Sequence, residues 1–127
     1  MSHFSYIKTR IQNLGYLEKA LNKLNIHYEL DSKIIKGYDN DSLLVDLIIP
    51  QKNGYDIGFK WNGVNYELVT DLSFWDQKYS NETFMDKLTQ TYASQIILNE
   101  TKRQGFNNIE EKTNIDGSIS IVLERWN

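Results

Sequence analysis

Leucine residues between positions 14 and 24 recur at steps of three and four residues, which predicts an amphipathic helix. Asn13 is a favourable N-cap residue, and Asn25 tolerates the left-handed conformation that ends a helix. We therefore expect a helix over about residues 13–24. The apolar stripe of this helix consists of Leu14, Leu17, Leu21 and Leu24.

A second helical pattern of about 20 residues precedes Gly105. Ser80 or Asn81 is suited to cap its start, and Glu82 suits the positive end of the helix dipole. Gly105 favours termination of the helix. The predicted buried stripe is Met85, Leu88, Tyr92 and Ile96.

The region over residues 55–70 shows the alternation of apolar and polar residues that is typical of paired strands. Asn62-Gly63 is a preferred pair for a two-residue hairpin turn, because both positions need positive φ. We expect this turn to set the register of the hairpin. The predicted pairs are Trp61 with Val64, Phe59 with Tyr66, Ile57 with Leu68, and Tyr55 with Thr70.

Four further segments are predicted to be extended, and one of them, residues 27–35, is only weakly patterned. Residues 4–9 alternate weakly, and residues 43–49 form an apolar run that Pro50 would end, which indicates one buried strand. Near the end of the chain, Asn114-Ile115-Asp116-Gly117 fits a turn with a left-handed glycine, so residues 107–124 are predicted to form a second hairpin.

The element order predicts an α+β fold with a mainly antiparallel sheet and two helices packed on one face. Helices do not follow every strand, so a doubly wound parallel sheet is disfavoured. The chain of 127 residues is within the usual range of one domain, and we expect residues 1–127 to form a single domain.

Charge and composition exclude several function classes. The net charge of −3 gives no basic excess for phosphate binding, so we do not expect a nucleic-acid partner. The absence of cysteine excludes disulfides and thiolate chemistry, and the two histidines give little support for a metal site. The glycines near position 58 precede no helix, so no phosphate-binding loop is indicated. We expect no cofactor.

No run of residues approaches the length and apolarity of a membrane-spanning helix, so we expect a soluble protein. The opening residues show neither a secretory signal nor a transit peptide. We therefore expect the protein to act in the compartment where it is made.

The chain resembles the hypothetical chloroplast reading frame thirty-five family of cyanobacteria and algal plastids. The resemblance lies in residues 1–9, the Leu17, Ala20 and Leu21 helix, the Trp61 hairpin and the closing residues 123–126. Asn13 and Asn25 stand where the family more often has Asp and Gly, but both retain the capping chemistry. The resemblance implies a plastid-encoded stromal protein, or a cytoplasmic one in a cyanobacterium. It implies no catalytic residues.

Aromatic residues suggest a candidate binding site. Phe74 and Trp75 follow a strand and precede a polar link, where full burial is less certain than in the core. Exposed aromatic residues favour protein binding. The alternative is that both rings fill the core.

Polar residues suggest a candidate pocket. His3, two residues from Ser5, is a potential general base, although no oxyanion donor is evident. Asp71 and Asp76 flank the aromatic pair, and paired carboxylates suit acid–base or metal chemistry. Aspartates in loops more often form turns or cap helices.

Two functions remain open from the sequence. The favoured hypothesis is a non-catalytic accessory factor that binds an unknown stromal protein through a sheet face or through Phe74 and Trp75. The alternative is a small-ligand binder or enzyme with a pocket between helices and sheet, lined by His3, Asp71 and Trp75. The absence of a reactive constellation favours the first hypothesis.

Overall fold

A computed structural model describes residues 3–31 and 33–125 of the chain. These residues form two helices and several short strands. Short 3₁₀ turns occupy Tyr38–Asn40 and Leu72–Phe74. The helices are α1 (Leu14–Lys23) and α2 (Asn81–Arg103). The strands are β1 (Ser5–Ile7), β2 (Lys33–Lys36), β3 (Ser42–Val45), β4 (Leu47–Ile49), β5 (Ile57–Trp61), β6 (Tyr66–Thr70), β7 (Phe106–Thr113) and β8 (Ile119–Arg125).

Helix α1 begins and ends at the predicted caps. The Asn13 side chain accepts a hydrogen bond of 3.0 Å from the Tyr16 N–H. At the other end, Asn25 has a φ of 58°. The N–H groups of Asn25 and Ile26 donate to the carbonyls of Asn22 and Leu21, respectively, which is the Schellman pattern. The predicted helix is confirmed.

Helix α2 also agrees with its predicted limits. The Ser80 hydroxyl accepts a hydrogen bond of 3.2 Å from the Thr83 N–H, and Gly105 follows the helix with a φ of 90°. Leu88 and Tyr92 of the predicted stripe are buried. Phe84, which the stripe omitted, is also buried and contacts the same core.

Four antiparallel strands form the central sheet in the order β1-β6-β5-β4. One face of the sheet meets both helices, and the main hydrophobic core lies between them. This arrangement confirms the predicted α+β fold. The sheet contributes Leu47, Ile49, Ile57, Phe59 and Leu68 to the core, and the helices contribute Leu17, Ala20, Leu21, Phe84, Leu88 and Tyr92.

The opposite face of the sheet is covered by an antiparallel ribbon of β2 and β3. The sequence pattern indicated extended chain in this region but not a separate layer. Ile35 and Val45 of the ribbon pack against Ile48 and Val69 of the sheet. Gly58 allows this contact, because a Cβ atom there would lie 2.7 Å from a Val45 methyl group. The fold therefore has three layers: helices, sheet and ribbon.

The prediction of one strand over residues 43–49 is wrong. The chain bends at Asp46, so β3 belongs to the ribbon and β4 to the central sheet. The Asp46 N–H donates to the Phe59 carbonyl, and its carboxylate accepts a hydrogen bond of 2.8 Å from the Trp61 N–H. These bonds stabilise the bend, and an apolar run alone does not show it.

The predicted register of the central hairpin is also wrong, by two residues. Trp61 pairs with Tyr66, and Phe59 pairs with Leu68, so the loop contains four residues. The Asn62 side chain accepts hydrogen bonds from the N–H groups of Val64 and Asn65, which closes this longer loop. A shift of two residues leaves each side chain on its expected face, because side chains alternate with a period of two.

The predicted second hairpin is confirmed, but it forms a separate two-stranded sheet. Gly117 has a φ of 89°, and its N–H donates to the Asn114 carbonyl. The ribbon of β7 and β8 reaches the helices through Glu111. The Glu111 carboxylate accepts a hydrogen bond of 3.2 Å from the Ser94 hydroxyl and lies 3.6 Å from the Lys23 ammonium.

Neither helix in the part of the chain that the structure describes has the length and apolarity needed to cross a membrane.

Candidate functional site

Asp71 follows β6 directly and links two turns. Its side chain is 2% exposed. One carboxylate oxygen accepts a hydrogen bond of 3.0 Å from the Tyr38 N–H, and the other accepts one of 3.0 Å from the Ser73 N–H. Both oxygens of the carboxylate therefore have backbone donors, and Asp71 joins the segment after β2 to the segment after β6.

The turn that Asp71 holds contains an unusual backbone conformation. Asp39 and Asn40 have φ values of 56° and 64°, so two successive non-glycine residues adopt the left-handed conformation. This conformation costs about 1 kcal/mol per residue, although Asp and Asn tolerate it better than most residues. A hydrogen bond of 2.8 Å from the Gly37 N–H to the Asp41 carbonyl closes the turn. We call Tyr38–Asn40 the Tyr38 turn.

His3 lies against the same turn. The centroid of its imidazole ring is 4.7 Å from that of Tyr38, in an edge-to-face arrangement. The backbone N–H of His3 donates to the Asp41 carboxylate over 3.3 Å. The structure thus brings His3 and Asp71 to a common neighbour, Tyr38, but each has a packing or hydrogen-bonding role there.

Tyr38 itself is 53% exposed, and Leu72, which lies in the other turn bonded to Asp71, is 39% exposed. Sequence reasoning missed both residues. The sequence did contain a signal for an exposed Tyr38, because the Asp39-Asn40 pair that follows it favours a tight turn at the surface. We call Tyr38, Leu72 and His3 the Tyr38 surface.

Phe74 is half-buried, and its ring has an intramolecular partner. The ring stacks on Tyr55 with centroids 3.7 Å apart and an angle of 8° between the planes. The Phe74 carbonyl accepts hydrogen bonds from the side-chain amides of Gln51 and Asn53, at 3.0 Å and 2.8 Å. These contacts fix the segment that follows Asp71.

Trp75 is half-buried on the helix side of the sheet. Its ring meets Phe84 edge to face at 5.3 Å, and its indole N–H donates to the Tyr79 carbonyl over 2.7 Å. Trp75 therefore packs in the core beside the helices, whereas His3 packs on the Tyr38 turn. These two predicted pocket residues have different neighbours. Binding of a partner by Phe74 and Trp75 stays a prediction.

Among the side chains that the structure describes, which exclude those of residues 106–110 and 123–125, no group of three or more His, Asp or Glu residues is suited to a metal ion. A cleft of about 270 Å³ lies between the end of α1, the link before α2 and the first turns of α2. His3, Asp71 and Trp75, the predicted pocket residues, do not line this cleft. The cleft is lined by Leu24, Ile26, Gln77, Lys78, Tyr79, Phe84 and Lys87.

The structure defines a small α+β protein whose Tyr38 surface is held by a buried carboxylate. The chain belongs to the family described as Protein of unknown function (DUF1257), which matches residues 20–122. No solved structure matches the chain.

Three algal relatives are similar to the chain over nearly its whole length, and each is named Uncharacterized protein ycf35. The relative from Guillardia theta is 46% identical, covering 99% of this chain and 98% of the relative. The relative from Pyropia yezoensis is 45% identical, with coverage of 100% and 99%. The relative from Trieres chinensis is 49% identical, with coverage of 93% for both. These ycf relatives are encoded by plastid genomes, which confirms the predicted plastid-encoded origin.

Proposed function

We propose that this protein is a non-catalytic accessory factor that binds another stromal protein through the Tyr38 surface. The observation that carries the proposal is the placement of Tyr38. Its side chain is 53% exposed, yet its backbone is hydrogen-bonded to the buried carboxylate of Asp71.

The Tyr38 turn has properties that suit recognition. Backbone strain in proteins concentrates at functional sites, and here Asp39 and Asn40 carry it. The Tyr38 ring is supported from one side by His3, so little side-chain freedom is lost when a partner binds. Tyrosine is enriched among residues that dominate binding energy. Leu72 adds apolar area in the adjoining turn.

Phe74 and Trp75 belong to the proposal as flanking residues. Leu72–Phe74 is the 3₁₀ turn that Asp71 caps, and Trp75 follows it directly. Both aromatic residues are half-buried, so a partner would reach only part of each. Phe74 stacks on Tyr55 and Trp75 packs on Phe84, so both flanking residues are held in place, which supports a preformed surface.

The roles of His3 and Asp71 support a binding function more than catalysis. Both Asp71 oxygens accept hydrogen bonds from backbone groups, and the His3 ring packs on Tyr38. A general base needs access to a substrate proton. Asp71, at 2% exposure, is buried below the surface where a substrate would approach.

Photo-cross-linking inside the plastid tests the proposal. A benzophenone amino acid replaces Tyr38 in one variant and Tyr79 in a control variant, where Tyr79 is 39% exposed in the cleft beside α1. We expect a discrete adduct of higher mass with the probe at position 38 and not at position 79. Absence of an adduct at position 38, or the same adducts from both positions, would contradict the proposal.

A further inference from the structure

The cleft between α1 and α2 has an apolar floor at one end of the helix pair. Leu24 and Ile26 contribute from the end of α1, and Phe84, which is 5% exposed, contributes from the first turns of α2. Tyr79 forms one wall. The volume of about 270 Å³ is slightly below the roughly 300 Å³ at which typical small-molecule sites begin.

Two lysines stand over the same aromatic wall. The Lys87 ammonium lies 4.8 Å from the centroid of the Tyr79 ring, and the Lys78 ammonium lies 5.5 Å from it. Neither ammonium makes an ion pair with a carboxylate of the described residues, and no Asp or Glu of those residues lines the cleft. The cleft therefore combines two positive charges with an apolar interior, in a chain of net charge −3.

We propose that this cleft binds a small amphiphilic carboxylate, with its apolar part on Leu24, Ile26 and Phe84 and its carboxylate between Lys78 and Lys87. Burial of the apolar part removes hydrocarbon from water, and the two ammonium groups form charge-assisted hydrogen bonds with the anion. The inference concerns a different surface from the Tyr38 surface and does not depend on it.

The charge and size of the cleft determine the kind of occupant. A cationic amphiphile would place like charges beside Lys78 and Lys87, and a neutral alcohol would leave both ammonium groups without a counter-charge. A cleft of about 270 Å³ accommodates a short chain or a single ring but not a folded partner. A small organic anion is consistent with both constraints.

Titration of the full chain with octanoate, followed by amide chemical shifts in NMR, tests the inference, with octanol and octyltrimethylammonium as charge controls. We expect saturable octanoate binding with a dissociation constant of about millimolar or tighter. The shifts should concentrate at Leu24, Ile26, Tyr79 and Phe84. Both controls should bind at least about tenfold more weakly. Equal binding of all three probes, or shifts scattered over the surface, would overturn the inference.

A matched pair of charge variants separates local from general electrostatics. The variant Lys78→Gln/Lys87→Gln should weaken octanoate binding about tenfold or more. The control Lys19→Gln/Lys36→Gln makes the same change in net charge and also removes two lysines that lie over tyrosine rings, Tyr16 and Tyr55. It should bind octanoate as the wild-type chain does. An equal loss in both variants would contradict a site in the cleft, and circular dichroism checks that both variants are folded.

Discussion

At the scale of single residues, the buried carboxylate of Asp71 joins the two turns of the proposed surface. It satisfies two backbone N–H groups from two turns while only 2% exposed. The sequence indicated Asp71 as a pocket residue or a turn former. The structure shows hydrogen bonds that form a turn, and its partner Tyr38 is 33 positions away in the chain. That distant contact has no local sequence signal.

Replacing Asp71 tests this structural role. Asp71→Ala leaves the Tyr38 and Ser73 N–H groups without their acceptor, so we expect a loss of about 2 kcal/mol in the free energy of unfolding. Asp76→Ala, at an exposed position in the same link, should cost less than about 0.5 kcal/mol. Urea denaturation measures both values. Similar losses for the two variants would show that the Asp71 hydrogen bonds contribute little.

The pKa of Tyr66 leads us to expect that the stability of the fold depends on pH. Burial, and after it the negative charge of Asp46, raises the pKa of the Tyr66 phenol above its ordinary value of 10.0. The unfolded chain therefore loses this proton at lower pH than the folded chain does. The neutral Tyr66 phenol therefore contributes fully to the free energy of unfolding below about pH 10. This contribution decreases as the pH rises toward the pKa of the folded state.

The test compares stability at about pH 9 and about pH 11. The wild-type chain should lose more stability over this range than Tyr66→Phe, which has no ionisable group at this position. If Tyr66→Phe loses as much stability as the wild-type chain, the perturbed phenol does not contribute to the pH dependence.

At the scale of elements, the helices followed their sequence signals more closely than the strands did. Caps and periodicity are local features, so Asn13, Ser80 and Gly105 predicted the helix ends correctly. The strand register and the strand limits depended on side-chain hydrogen bonds, which neither the turn preference nor the apolar pattern reports. Asn62 closes a four-residue loop, and Asp46 bends an apolar run into two strands.

The ribbon of β2 and β3 gives a test of packing between layers. A methyl group at position 58 would meet Val45 at 2.7 Å, so Gly58→Ala should lower the free energy of unfolding by about 1–3 kcal/mol. Val45→Ala should cost about 2 kcal/mol by leaving a cavity. Because the double variant makes room for the new methyl group, its loss should be about 1 kcal/mol less than the sum of the single losses. Strictly additive losses would contradict direct contact between the two positions.

At the scale of the whole molecule, the fold stacks three layers: helices, sheet and ribbon. The sequence predicted the α+β class and the layer formed by the helices, but the ribbon on the opposite face of the sheet required long-range packing of Ile35 and Val45 against Val69. The candidate sites were predicted only in part. His3 and Asp71 do converge, on Tyr38, whereas Tyr38 itself lies in a polar turn and was not selected.

The cleft beside Tyr79 was not predicted either. Its lining residues come from the end of α1, the link before α2 and α2 itself, so no local pattern brings them together. The Tyr38 surface and this cleft use different residues. The protein proposal and the carboxylate proposal are therefore independent, and failure of one would leave the other unchanged.

Quantitative co-purification from plastids tests the protein-binding claim most directly. Tagged wild-type chain, Tyr38→Ala and the control Tyr79→Ala are recovered at equal expression, and the companions are compared by mass spectrometry. We expect one reproducible companion with the wild-type chain and with Tyr79→Ala, and about tenfold less of it with Tyr38→Ala. Equal recovery with Tyr38→Ala, or no reproducible companion of the wild-type chain, would contradict the account.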